Sequence, residues 1–123
     1  MEYTVGFDED GEICTVQVTG RLKRPDDSLI LQQLARDIGI KQNYLRFLFD
    51  MTQAEIIGGI NEAYKAGTVP VDPDRQQVRQ RIALVYAGDL ANHRFMETVA
   101  VNRGYLLRVF DNLDLALDWL KTD

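Results

Sequence analysis

Apolar and polar residues alternate along two short segments near the start of the chain. YTVGF and EICTVQV place apolar or β-branched side chains at every second position, a pattern that is typical of strands with one buried face. The segment FDEDGE that links them contains the pair Asp10-Gly11, and an Asp-Gly pair favours a tight turn. The pattern therefore predicts a β-hairpin.

Helical spacing and a continuous apolar run follow. After the basic segment RLKRP, which we interpret as a loop, Asp26, Asp27 and Ser28 offer N-caps, and apolar residues recur at helical spacing up to Gly39, where the helix should stop. YLRFLFD is apolar on both faces apart from Arg46, as expected of a central strand covered by helices. This strand is predicted to end at Asp50.

A second helix is predicted from Gln53 to Ala66. Its apolar residues at helical spacing are Ile56, Ile57, Ile60, Ala63 and Tyr64. The pair Gly58-Gly59 lies inside this helix and weakens it by roughly 1 kcal/mol per glycine relative to alanine. The next segment, AGTVPVDPD, is irregular, and RQQVRQR forms a short exposed helix or a loop.

The last third of the chain repeats the strand and helix patterns. RIALVYAGD and LLRVF are predicted strands, and Leu90 to Asn102 is a predicted helix that Gly104 closes. Asp111 or Asn112 caps a final amphipathic helix, LDLALDWLK, that turns these residues inward: Leu113, Ala116, Leu117 and Leu120. The predicted fold is α/β, in the order ββαβαβαβα, with a mixed, mostly parallel sheet of about five strands and four helices in a single domain over residues 1–123.

The charge balance disfavours two classes of partner. The chain of 123 residues has 14 basic and 19 acidic side chains, and the basic ones are scattered. Nucleic acids and anionic membrane surfaces are bound by clustered Lys and Arg. The single cysteine, Cys14, lies in an alternating run and excludes an intrachain disulfide. With no apolar stretch of membrane-spanning length and no signal-peptide pattern, we expect a cytoplasmic protein without a membrane span.

The segment from residue 93 to residue 121, HRFMETVAVNRGYLLRVFDNLDLALDWLK, resembles a known family. The resemblance is to the bacterial STAS-like family related to the sporulation anti-sigma-factor antagonist, a family that also has a CRAL-TRIO-like, lipid-transfer character. It rests on the RF.ETVA.NRG run, the VFD that follows and the AL.WL ending, which are similar to the closing helix, strand and helix of that family. The predicted element order extends this resemblance over nearly the whole chain. It implies a STAS-like fold and a binding or regulatory role without enzymatic activity.

The resemblance also implies a phosphorylation switch that this sequence does not fully provide. The best-understood relatives are switched on a serine in a loop after the central strand, and Asp50, Met51 and Thr52 resemble the start of that motif. Residues 53–59 contain neither serine nor threonine. We therefore expect no switching at the usual position, and Thr52 is the nearest alternative acceptor.

Candidate chemistry is sparse. Asp50 could accept a phosphoryl group, but this chemistry also requires a magnesium-binding acidic pair after the first strand and a lysine after a late strand, and the sequence provides neither. A strand-end or N-cap role is the alternative. His93, Cys14 and Ser28 are each the only residue of their type and lack motif partners, so we expect no metal, no cofactor and no catalytic triad. Arg94, Arg103 and Arg108 are weak candidates for an anion site.

Two functional hypotheses remain open. The first is a protein partner or a homodimer contact on a surface composed of Asp50, Met51, Thr52, Ile56, Ile57, Ile60 and Tyr64. The second is a small apolar, lipid-like ligand in a cleft between the second helix and the sheet. Because of the paired glycines and the Pro-rich segment, residues 56–73 are expected to be mobile and functional.

Overall fold

The computed structural model describes residues 1–8, 12–67 and 80–122. Its elements follow the predicted order: β1 (Glu2–Phe7), β2 (Ile13–Lys23), α1 (Asp26–Gln42), β3 (Arg46–Ile57), α2 (Ile60–Gly67), β4 (Arg81–Val85), α3 (Ala91–Asn102), β5 (Leu106–Phe110) and α4 (Leu113–Lys121). The strands lie side by side in chain order. β1 pairs antiparallel with β2, and all later neighbours are parallel. The predicted mixed sheet and its element order are confirmed.

The two faces of the sheet are covered unequally. Because β2 to β5 advance in one direction, crossovers of the usual right hand bring their helices to one face. α1, α2 and α3 pack there over a core that includes Val16, Phe47 and Phe49, and we call this side the three-helix face. α4 alone packs on the opposite side, the α4 face, over Leu48 and Phe110 among others.

β2 and β3 are longer than predicted. Both strands continue past the end of β4 and pair with each other from Thr19 and Gln53 to Lys23 and Ile57. The predicted loop is therefore wrong at residues 21–23 and correct at residues 24 and 25, which connect β2 to α1. The predicted helix beginning at Gln53 is also wrong, because cross-strand hydrogen bonds overrode the helical spacing of the isoleucines. We call this two-stranded extension the arm.

The second helix begins after its glycines. Gly58 has a positive φ of 133°, which ends the strand. The backbone N–H of Gly59 donates to Glu62 Oε2 at 3.0 Å, as in half of a capping box, and α2 starts at Ile60. Neither glycine weakens the helix interior, so this argument for mobility no longer applies. The predicted mobility of residues 56–67 stays a prediction, and residues 68–73 lie outside the described residues, as does most of RQQVRQR.

α1 differs from its prediction at both ends. It begins after Pro25 without a side-chain cap, and Asp27 instead accepts a hydrogen bond from the backbone of Lys23 at 2.7 Å. It passes through Gly39, which is buried in a close contact, and ends at Asn43, whose φ of 60° is left-handed. Asparagine tolerates this conformation and thus took the role that the sequence suggested for glycine.

The closing elements lie close to their predicted positions. α3 begins at Ala91 and β5 covers Leu106–Phe110. Asn112 caps α4 by accepting from the backbone N–H of Leu115 at 3.1 Å. Ala116 and Leu120 are buried as predicted, but Leu113 is exposed, because it lies in the first turn of α4 beyond the edge of the core.

Candidate functional site

Asp50 lies inside β3, opposite Val85, the last residue of β4. Between Asp50 and Gln53, β3 advances by three residues while β2 advances by two, from Gln17 to Thr19. One extra residue in one strand of a pair is a β-bulge. Asp50 is therefore neither a strand end nor a helix cap, which corrects both structural interpretations of this residue.

The carboxylate of Asp50 stabilises this bulge. Its Oδ1 accepts from the backbone N–H of Thr52 at 3.0 Å and from the Thr52 hydroxyl at 2.6 Å. A bulge leaves a backbone group without its ladder partner, and the carboxylate supplies one. A phosphoryl group on Thr52 would replace this hydrogen bond by repulsion between two anions. The absence of switching at this position stays a prediction.

The predicted partner surface does not form one continuous patch. Met51 is buried in the core of the three-helix face, whereas Thr52 is exposed. After the bulge, Ile56 turns toward the three-helix face and packs against that core, and Ile57 is half-buried. The structure therefore separates the strand residues of the set from each other.

Two members of the set form an exposed apolar patch on α2. Ile60 is 55% exposed and Tyr64 is 50% exposed. The Tyr64 ring packs against Phe95 of α3, with ring centroids 6.5 Å apart. Together with the exposed Thr52 on β3, these two residues are the members of the predicted surface that remain available to a partner.

The three arginines that the sequence suggested as an anion site do not form a joint site. Arg94 is exposed in the first turn of α3, and Arg103 is exposed beyond its last turn. Arg108 is exposed on β5, with its guanidinium carbon 5.5 Å from the centroid of the Phe110 ring. Phe110 belongs to the α4 face, so Arg108 lies on that face as well.

A cleft lies on the three-helix face between α1, α3 and the sheet. Its volume is about 630 Å³, including the space at its open mouth. Its lining is mostly apolar: Leu22, Ser28, Leu31, Gln32, Phe49, Met51, Ala66, Ile82, Leu84, Tyr86, Met96, Ala100, Tyr105 and Leu107. Apolar walls with a few polar groups are typical of small-molecule sites. Of the predicted surface residues, only Met51 belongs to this lining.

A buried polar cluster adjoins the cleft. Arg24, which follows β2, is 5% exposed, and His93, in the first turn of α3, is 9% exposed. Arg24 Nη2 donates to the Tyr86 hydroxyl at 2.9 Å and to His93 Nδ1 at 2.8 Å. The His93 ring stacks on the Tyr86 ring, with centroids 3.7 Å apart and planes 5° from parallel. We call these three residues the Arg24 cluster.

The Arg24 cluster has a defined direction of hydrogen bonding. A guanidinium group only donates, so His93 Nδ1 is an acceptor and the neutral ring carries its hydrogen on Nε2. Burial, reinforced by the positive charge of Arg24, lowers the pKa of His93 to about 4, although Asp89 acts in the opposite direction. Burial also raises the pKa of Tyr86, against the effect of Arg24. At neutral pH, Arg24 is the only charged member of the cluster.

Sequence reasoning missed this cluster because its members are far apart in the chain. Arg24 is 62 positions from Tyr86 and 69 from His93. The signal that could have found it is the position of the strand ends, since in the structure Arg24 and Tyr86 each directly follow a strand, but the sequence placed both ends elsewhere. The carboxyl ends of parallel strands meet at one edge of a sheet, which is where ligands bind in open α/β sheets.

Other sites predicted to be absent can be checked only over the described part of the chain. There, no group of three His, Cys, Asp or Glu side chains could hold a metal ion. Cys14 is buried, and burial raises the pKa of its thiol to about 11, so it is poorly reactive. No helix in the described ranges is long and apolar enough to cross a membrane.

Comparisons with known proteins identify the fold. No protein-family model and no curated protein matches the sequence. An uncharacterised DUF3478-family protein from Shewanella loihica PV-4, described as having a SpoIIAA-like fold, matches 97% of this chain and 92% of its own, with 18% identity and a TM-score of 0.55.

Two anti-sigma factor antagonists also match. SpoIIAA in its unphosphorylated form covers 99% of this chain and 100% of its own, with 9% identity and a TM-score of 0.55. An antagonist from Mycobacterium paratuberculosis covers 98% of this chain and 96% of its own, with 14% identity and a TM-score of 0.54. Such identities show a common fold. The STAS-like resemblance is confirmed at that level: this chain has a SpoIIAA-like fold.

Proposed function

We propose that the protein is a non-enzymatic STAS-type module that binds a small apolar ligand in the cleft of the three-helix face. The cleft is the observation that supports this function. Its walls are supplied by α1, α3 and the middle of the sheet, and burying apolar ligand surface against them yields about 25 cal/mol per Å². The fold is that of proteins described as anti-sigma factor antagonists, which supports a regulatory role over a catalytic one.

Methionine methyl groups provide a direct test of binding. The chain has three methionines, of which Met51 and Met96 line the cleft and Met1 does not belong to its described lining. On addition of decanol, a neutral apolar ligand, the NMR signals of the Met51 and Met96 methyl groups are expected to shift, while that of Met1 stays in place. If none of the three methyl signals shifts to a saturating value as decanol is added, the proposal is contradicted.

A cleft-filling variant provides the second arm of this test. Ala100 lines the cleft, and Ala91 is exposed on the same helix. Ala100→Leu should weaken decanol binding because the added methyl groups occupy ligand space, whereas Ala91→Leu adds the same atoms on the surface and should leave it unchanged. Equal affinities in the two variants would place the binding elsewhere.

A protein partner is the second candidate function, favoured by the exposed patch of Ile60 and Tyr64 next to Phe95. Exposed apolar side chains beside one another are typical of interaction sites. A photoreactive amino acid at position 60 is expected to cross-link a partner protein or a second copy of the chain inside cells. The same residue at position 115, where Leu115 is 57% exposed on α4, is the control. Equal cross-linking at both positions would contradict a specific surface.

A further inference from the structure

The charge of Arg24 has no acidic partner among the described residues. Its guanidinium is held by a neutral histidine and a tyrosine hydroxyl, and the ion pairs that the structure describes are Arg21 with Glu55 and Arg46 with Glu12. A buried charge is normally paired, because removing it from water is costly. Asp89 is close enough to raise the pKa of His93, but it makes no described ion pair with Arg24. The three residues of the cluster therefore carry one positive charge that a bound anion would compensate.

The cluster also has more donors than acceptors. A guanidinium has five N–H donors, of which the two on Nη2 are used by Tyr86 and His93. Because Tyr86 accepts from Arg24, its own hydroxyl hydrogen is left to donate, as is the hydrogen on His93 Nε2, and no acceptor for either is found among the described residues. An acceptor with several lone pairs would complete this arrangement.

The unused donors of Arg24 can be reached from outside. No fully buried nitrogen or oxygen of a described side chain lacks a hydrogen-bond partner. The nitrogens of Arg24 that have no partner are therefore not fully buried and retain some contact with solvent. The site is thus mostly desolvated, which strengthens an ionic hydrogen bond, and it is still accessible to a ligand.

The Arg24 cluster adjoins one end of the cleft. Tyr86 belongs to both, and the cleft residues Leu22 and Ser28 lie close to Arg24 along the chain. From Tyr86 the lining continues along β4 through Leu84 to Ile82, a distance of about 13 Å at the rise of an extended strand. Arg24 and His93 do not belong to this lining, but Arg24 donates to the Tyr86 hydroxyl at 2.9 Å. A molecule that reaches the Tyr86 end of the cleft would thus have apolar walls along its length and the cation next to Tyr86.

We propose that the cleft takes an apolar carboxylic acid whose ionised carboxylate is bound by Arg24, with Tyr86 and His93 as further donors. This inference rests on the proposed function of the cleft. A carboxylate carries one negative charge, which a single guanidinium balances, whereas a phosphate monoester carries nearly two and has no second charged partner in this cluster at neutral pH.

The test compares three ligands with the same apolar chain on the wild-type protein at neutral pH. Decanoate is expected to bind about tenfold more tightly than decanol, a ratio that one charge-assisted hydrogen bond provides, and more tightly than decyl phosphate. The NMR signal of an isotope-labelled carboxyl carbon should show that bound decanoate has a lower pKa than free decanoate, because a nearby cation favours the ionised form.

Two variants assign the effect to Arg24. Arg24→Gln removes the charge and should abolish the preference for decanoate while decanol still binds. Arg108→Gln removes an arginine from the opposite face and should leave the preference intact. If Arg24→Gln fails to fold, the affinities of the wild-type protein for the three ligands and the pKa of bound decanoate still show whether a cation binds the carboxylate.

The outcomes separate this inference from the proposed function. Binding of none of the three ligands would contradict both. The role of Arg24 would be overturned if decanol and decanoate bound with equal affinity, or if the preference for decanoate persisted in Arg24→Gln. Either result would still support apolar ligand binding in the cleft. Tighter binding of decyl phosphate than of decanoate would overturn the choice of a carboxylate.

Discussion

The two faces of the sheet bury their side chains in different ways. On the α4 face, one short helix closes a core of apolar residues only, among them Leu48, Val85 and Leu120. On the other face, three helices cover a larger core but leave a cleft and enclose a charged arginine. The space for a ligand is thus on the three-helix face, where more residues pack less completely.

The largest expected effect tests the packing difference directly. Leu120→Ala removes a fully buried side chain from the α4 face and should lower the free energy of unfolding by about 4 kcal/mol. Leu31→Ala removes the same atoms beside the cleft and should cost about 2 kcal/mol, because part of its surroundings is already empty. Urea unfolding of both variants measures the difference. Equal losses would mean that the two faces are equally well packed.

Acid pH should act on the three-helix face through His93. Its pKa of about 4 in the folded protein lies below the ordinary value of 6.5, so the unfolded chain binds this proton first. Above pH 6.5, protonation of His93 should leave the free energy of unfolding unchanged. The free energy of unfolding should fall as the pH decreases from 6.5, and it should be lower by about 3 kcal/mol once the pH is below the folded pKa of about 4. The charged groups that act on the ring are Arg24 and Asp89.

The variant His93→Gln isolates this contribution. Glutamine keeps a hydrogen-bond acceptor for Arg24 and does not titrate, so its stability should depend less steeply on pH between the two pKa values. Carboxylates titrate in both proteins and cancel in the comparison. Unfolding curves with the same pH slope in both proteins would show that His93 is not held neutral by the fold.

A smaller effect on the free energy of unfolding is expected at the bulge, where the pairing of β3 with β4 ends. Asp50→Ala removes both hydrogen bonds to Thr52 and should cost about 1.5 kcal/mol. Glu55→Ala, on the same strand, removes an exposed ion pair with Arg21 and should cost almost nothing. Thermal unfolding of the two variants is the measurement. A larger loss for Glu55→Ala would reverse the roles that we assign to these carboxylates.

The smallest expected effect concerns the helix that closes the α4 face. Asn112→Ala removes the cap of α4 and should cost about 1 kcal/mol, whereas Asn112→Asp keeps an oxygen for the Leu115 N–H and should cost little. Hydrogen exchange of the first turn of α4 provides a local measurement. If both variants exchange like the wild type, the helix is held by Ala116 and Leu120 alone.

The fold could be predicted because its signals are local. Alternation in YTVGF, the apolar run around Phe47 and the amphipathic pattern after Asn112 each depend on neighbouring residues, and together they gave the correct order of elements. The arm was missed because Ile56 and Ile57 fit the spacing of a helix as well as that of a strand. Only the pairing of Leu22 with Ile56 decides between the two.

The site was largely unpredictable for a related reason. The cleft and the Arg24 cluster are formed by residues from several strands and helices, and no local pattern reports which of them meet. The sequence suggested exposed arginines as anion partners, whereas the arginine that the fold buries lay in a segment interpreted as a basic loop. His93 was considered only as a metal ligand or catalytic base, and its contact with Tyr86 depends on where β4 ends.

The bulge at Asp50 also fixes how the arm tolerates changes in chain length. Its extra residue reverses the alternation of β3, so that Ala54 and Ile56 face the core while Glu55 faces outward. Deletion of one residue between Asp50 and Gln53 would remove the bulge and leave the pairing of the arm with β2 unchanged, so that Ala54 and Ile56 would still face the core. Deletion of two would shift the alternation by one position and turn the charged side chain of Glu55 toward the interior and the apolar ones toward water. Related sequences should therefore lack one residue here or none, but not two.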